Sequence, residues 1–114
     1  MTTQQIQRLS GRRLNEAVAR ECFGWEIVRG VWQDPLGYRH SSPFPWHTET
    51  YCHSVLEWLN RRESFAIYNE PDFHFWRIVI FKRGESIEVT GRTFAIAVCR
   101  AAVWAACNKQ EQKP

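Results

Sequence analysis

Three observations predict an α+β domain built as a three-layer α/β/α sandwich around a mostly antiparallel four-stranded sheet. Apolar residues recur at helical spacing three times, near the start, the middle and the end of the 114-residue chain. Four short β-type runs lie among these segments, and the last three are joined by turns too short for crossovers, hence antiparallel. The third run, His74–Lys82 (HFWRIVIFK), is apolar on both faces, with Phe75, Val79 and Phe81 on one and Trp76, Ile78 and Ile80 on the other. A strand of that kind is central and covered on both sides, so helices are expected above and below it. The expected order is α-β-α-β-β-β-α.

Residues 1–8 (MTTQQIQR) are polar and read as a loose lead-in to a single domain over 9–108. The first helix is predicted from Leu9 or Ser10 to Phe23, with Leu14, Ala17, Val18 and Cys22 on one face and Gly24 placed to stop it in a left-handed conformation. Trp25–Trp32 reads as one strand, interrupted at Gly30 by a bulge or a close backbone approach. Gln33–His47 (QDPLGYRHSSPFPWH) is too rich in Pro, Gly and Ser for regular structure and forms the one long loop. Loops of that length bind something or are held by their own side chains. A second helix over Thr48–Arg62 buries Cys52, Val55, Leu56 and Leu59 and can pair Glu57 with Arg61. Strands over Ser64–Asn69, His74–Lys82 and Ser86–Thr90 follow, separated by Glu70-Pro71-Asp72 and Arg83-Gly84-Glu85.

The closing helix, Thr93–Asn108 (TFAIAVCRAAVWAACN), has Thr93 as its N-cap and almost no polar face. Phe94, Val98, Ala101 and Ala105 make one apolar stripe, which the sheet can cover. Ile96, Val103, Trp104 and Cys107 make a second, with Arg100 in its middle. In a chain this short the second stripe points outward to a partner subunit or a ligand, and Ile96, Val103 and Trp104 become candidates for an oligomer interface. Residues 109–114 form a polar tail.

Composition bounds the function classes. A net charge of +3 permits an anionic partner but is too weak to point to DNA. No apolar run reaches membrane-spanning length and no charged-then-apolar leader opens the chain, so the expected compartment is the cytoplasm. Cys22, Cys52, Cys99 and Cys107 lack Cys-x-x-Cys spacing, and three of them sit on apolar helical faces, the pattern of buried free thiols.

Leu9-Ser10-Gly11-Arg12, Ala17-Val18-Ala19 and Gly24-Trp25 resemble the opening of the phage ABA sandwich domain family, small phage and prophage proteins named for an α/β/α sandwich. Pro43-Phe44-Pro45-Trp46-His47-Thr48-Glu49 stands where that family has a Pro- and Tyr/Ser-containing loop, and Cys99-Arg100-Ala101-Ala102 matches the Cys-Arg-Ala-Ala run of its last helix. The likeness spans about Leu9–Cys107 and departs at Trp46-His47-Thr48, where a Tyr-Ser-Thr type of sequence is expected. It implies a fold and a phage setting, hence the host cytoplasm, with no established chemistry. The setting brings in inhibitors of bacterial defence, some of which soak up nucleotide-derived immune signals.

No catalytic motif is present. His40, His47, Glu49 and His53 invite a metal, but there is no HExxH and no paired Cys-x-x-Cys, and Cys52 belongs to a buried stripe. Ser41 and Ser42 beside His40 do not make a triad, and Gly84 and Gly91 are isolated turn glycines. The remaining signal is aromatic plus basic. Trp32, Tyr38, Arg39, His40 and Trp46 could stack a nucleobase and meet a phosphate, or the aromatics could fold down and pin the loop. Arg100 either snorkels to solvent or anchors an anion, with Arg77 and Arg92 able to complete the pocket near a helix N-terminus. These residues, together with the phage setting that the resemblance implies, lead to the expectation of a non-enzymatic, cofactor-free and metal-free binding protein, a homo-oligomer that sequesters a small anionic nucleotide-type signal. The alternatives are an interaction module that inhibits a host protein directly, weak single-stranded nucleic-acid binding, and a small nucleotide hydrolase.

Overall fold

A computed structural model of the chain describes residues 1–82 and 84–108; the predicted tail lies outside the described residues. Helices α1 (Thr3–Gln7), α2 (Gly11–Ala17, continued by a wider π-helical stretch over Val18–Cys22), α3 (Cys52–Asn60) and α4 (Phe94–Cys107) accompany six strands. These are β1 (Glu26–Val28), β2 (Val31–Gln33), β3 (Arg39–His40), β4 (Ser64–Glu70), β5 (Phe75–Lys82) and β6 (Glu85–Gly91). The fold is α+β, with two three-stranded antiparallel sheets, β1-β2-β3 and β4-β5-β6, where one four-stranded sheet was expected. Among the described residues, no helix is long and apolar enough to cross a membrane.

The second sheet exists because Gly30 is a turn rather than a bulge. Arg29 and Gly30 both take positive φ, 53° and 79°, between the paired residues Val28 and Val31. That is the two-residue hairpin turn whose twist matches the flanking strands. β2 then pairs with β3, Trp32 opposite His40.

Sheet β4-β5-β6 is covered on one face. Trp76, Ile78 and Ile80 share that face with Phe65, Ile67, Ile87 and Val89 by register, and Ile78, Ile80 and Val89 are fully buried. α4 lies against it, with the Trp76 and Phe94 rings 5.3 Å apart. Gly91 permits the approach: a Cβ there would stand 2.5 Å from the backbone nitrogen of Ala97. Gly91→Ala therefore forces α4 off the sheet, at an expected cost of about 2 kcal/mol in denaturant unfolding. The opposite face was expected to carry a helix too, yet Tyr68, Phe81 and Glu88 on it are exposed. Arg77 makes that face tolerable in water, standing 3.2 Å from Glu70, 3.7 Å from Glu88 and over the Tyr68 ring.

In place of a loose lead-in, residues 3–7 form α1, started by a reciprocal capping box between Thr2 and Gln5. Ile6 is fully buried in the core. Gln7 reaches β6, its amide donating to the Glu88 carbonyl and accepting from the Thr90 N–H.

That docking changes the account of α4. Thr93 caps it as expected, accepting from Ile96 N–H at 3.1 Å, and Glu49 accepts from Ala95 N–H. Its second stripe does not need outside cover. Val103 is fully buried and Trp104 nearly so, with Lys82 lying over the Trp104 ring, and Ile96 is half-buried. α1, α2 and the π-helical stretch, together with α3 and the sheet, surround the helix. Arg100 does not reach outward. Its Nε donates to the Leu9 carbonyl and its Nη1 to the Thr90 carbonyl, both at 2.9 Å, tying α4 to the α1–α2 connection and to β6.

Candidate functional site

The long loop is folded onto its own side chains, beginning at Asp34. Its Oδ1 accepts from the N–H groups of Leu36 and Tyr38, both at 3.0 Å, and its Oδ2 lies 2.9 Å from His40 Nε2. An aspartate that bonds the backbone two residues on replaces the regular structure that Pro35 and Gly37 prevent. The His40 hydrogen bond, aided by those backbone donors, holds the Asp34 carboxyl below its ordinary pKa.

Aromatic rings do the rest. Trp25 lies 4.6 Å from His40, 5.4 Å from Phe44 and 5.5 Å from Trp46, the last two edge to face. Trp46 also meets Phe23 at 4.9 Å and is 4 % exposed. The Trp46 carbonyl accepts from the Cys99 thiol at 3.2 Å. His47 holds the end of the loop, its N–H and Nδ1 both on the Asn15 side-chain oxygen, which places the ring proton on Nδ1.

Around this pinned frame runs a shallow groove of about 340 Å³. Phe23, Trp25 and Trp46 form much of its wall, with Pro35, Leu36 and Phe44; Asp34 and Ser54 are its polar lining, and no basic side chain among the described residues lines it. Leu36, 83 % exposed, Tyr38, 67 % exposed, Phe44 and Tyr51 leave the largest apolar surfaces of this region in solvent. The Phe44 and Tyr51 rings are stacked at 6.1 Å. A rigid aromatic platform beside an apolar groove can accept an aliphatic or aromatic group at little conformational cost.

The residues singled out from the sequence do not converge on one site. Trp32, Tyr38, Arg39, His40 and Trp46 share the loop region, but Trp32 and Trp46 are core, with Arg20 packed over Trp32. His40 is engaged with Asp34, which leaves Tyr38 and Arg39 exposed and outside the lining of the groove. Arg77 is paired on the outward face of the other sheet. Arg92 is exposed before α4, and Arg100 is spent on two backbone carbonyls. Burial, and secondarily the charge of Arg92, lowers the Arg100 pKa.

Trp25, Phe44, Leu36 and Asp34 carry the groove, although only the Asp-Pro-x-Gly spacing of residues 34–37 announced one of them in the sequence.

Burial pushes the Cys99 thiol up to about 12, and burial likewise raises Cys22, Cys52 and Cys107, so no thiolate stands ready at neutral pH. Among the described residues, no group of three or more His, Cys, Asp or Glu side chains is placed to hold a metal ion.

No family model and no curated protein matches the chain. Among solved structures it is similar to a phage protein from Bacillus cereus ATCC 14579, known from a 2.0 Å crystal structure. The TM-score is 0.67 at 21 % sequence identity, over 83 % of this chain and 90 % of that one. At that identity the likeness shows the fold alone: this α+β arrangement is one that a Bacillus phage protein also adopts.

Proposed function

We propose that the chain is a phage-encoded binding protein that blunts a host defence by occupying a host protein, with the groove beside Trp25 and Phe44 taking an apolar side chain of that partner. The observation that carries this reading is the exposure of Leu36 and Phe44, with Tyr51 stacked on Phe44, at an apolar groove whose only charged lining residue, among the described residues, is Asp34. Aromatic anchors on a stiff frame are what protein interfaces use at their centres. The phage setting rests on the motif resemblance and on the phage source of the similar structure. The mode is stoichiometric, without turnover.

Sequestration of a nucleotide signal is the second reading, favoured by an exposed aromatic, Tyr38, next in the chain to an exposed basic residue, Arg39. A phosphate in the groove itself would face the Asp34 carboxylate.

Leu36→Asp separates the two. Leu36 packs so little that the folded chain should be unchanged, whereas a charge at the groove should lower partner affinity at least tenfold. Affinity capture from host lysate, quantified for wild type and L36D, should show one host protein lost with the variant. Melting temperatures should not respond to cyclic or ADP-ribose-type nucleotides. A nucleotide-dependent rise that L36D leaves intact would instead support sequestration.

A further inference from the structure

The two edges of sheet β4-β5-β6 are treated differently, and the difference points to a second copy of the chain. Backbone N–H and C=O groups of alternate residues in an antiparallel strand point to opposite sides. On β6 the groups of Glu88 and Thr90 point away from β5, because Gln7 and Arg100 bond to them from outside. The pairing register then turns the bonding groups of Ile78 and Ile80 toward β6, and those of Arg77, Val79 and Phe81 toward β4. On β4 it follows that Ser64, Ala66, Tyr68 and Glu70 bond inward, while Phe65, Ile67 and Asn69 turn theirs to the open edge. Among the described residues, no partner meets those outward groups.

This edge has none of the usual protection. β4 pairs with β5 without a bulge over its whole length, and it contains no Pro and no Lys. From Ser64 to Asn69 it carries no charge, and Glu70 at its end is held by Arg77. Ile67 is 36 % exposed, at the mouth of a groove of about 410 Å³ between β4 and α3 that is floored by Leu56 and Phe65.

We infer that β4 pairs antiparallel with β4 of a second copy about a two-fold axis at Ile67, making one six-stranded sheet across a homodimer. The strand is self-complementary in that register. Ile67 faces Ile67 of the partner subunit and Phe65 faces Asn69 of the partner subunit, so every outward N–H and C=O of the three residues is satisfied. Side chains from both copies close the grooves under α3, and no like charges meet. This interface is separate from the loop groove and from the second stripe of α4, which the chain buries by itself.

Sedimentation equilibrium of the full chain should give the dimer mass, and Ile67→Lys, which sets two ammonium groups face to face, should give the monomer with an unchanged circular dichroism spectrum. Ile67→Pro removes an outward donor without touching the inner ladder, and should also give the monomer. Residue-resolved hydrogen exchange should protect the amides of Phe65, Ile67 and Asn69 in the dimer and release them in I67K, while Ala66 and Tyr68 stay protected in both. A wild-type chain that remains monomeric at high concentration overturns the inference, as does a dimer indifferent to I67K and I67P, or one in which those three amides exchange freely. L36D should leave the mass unchanged, so failure of this interface and failure of the loop reading are told apart.

Discussion

Trp46→Ala is expected to lower stability by about 4 kcal/mol, read as a shift of the denaturant midpoint, because the indole is a wall of the core and not a free stacking surface. It is 4 % exposed and sits between Phe23, Trp25 and Phe44. Its removal leaves a cavity that three rigid rings cannot collapse into, and loosens the loop from its inner side. Trp46→Phe keeps most of the packing and should cost roughly half as much. A loss under about 1 kcal/mol for W46A would return Trp46 to the list of ligand-contacting residues, since a ring held for a ligand contributes little to folding.

Arg100→Ala follows at about 3 kcal/mol, the sum of two charge-assisted hydrogen bonds whose acceptors are left behind. The guanidinium joins Leu9 and Thr90, segments far apart in sequence, so its loss should also release α1. Hydrogen exchange at Ile6 and Thr90 should rise together in the variant. Arg100→Lys offers one point donor in place of the planar fork and should recover less than half. Inorganic phosphate should not raise the melting temperature of the wild type through Arg100; a rise that R100K abolishes would reinstate the anion reading of this residue.

The sequence disclosed the helices better than what lies between them. Thr93, the length of α4 and its apolar circumference were all legible, because capping and periodicity are local properties. Its surroundings were not. Ile6 is the one apolar residue in α1 and makes no periodic signal, although Thr2 and Gln5 stood at capping-box spacing. Without α1 the second stripe of α4 has no cover within the chain, which is why periodicity alone points it at a partner.

β5 misled in a related way. Phe75, Val79 and Phe81 are apolar enough to suggest a second helical layer, but Arg77 with Glu70 and Glu88 lets that face meet water. A three-residue strand on each side of Arg29-Gly30 is too short to alternate visibly, so periodicity does not separate the hairpin from a single strand. In the loop, composition told that aromatics gather there. Which of them fold inward is tied to Asp34, whose two backbone bonds and one imidazole bond hold the turn that carries the loop past Trp25.

Gln7 has a consequence for growth. By bonding to Glu88 and Thr90 it covers the Thr90 end of the β6 border from within the chain, while the β4 border carries no such contact. A sheet held in this way at one border favours addition at the other, so the proposed β4 pairing would tend to end in a closed pair and not in a filament. Replacing Gln7 would free the Glu88 carbonyl and the Thr90 N–H on that border, so this one side chain would act against edge-to-edge growth there.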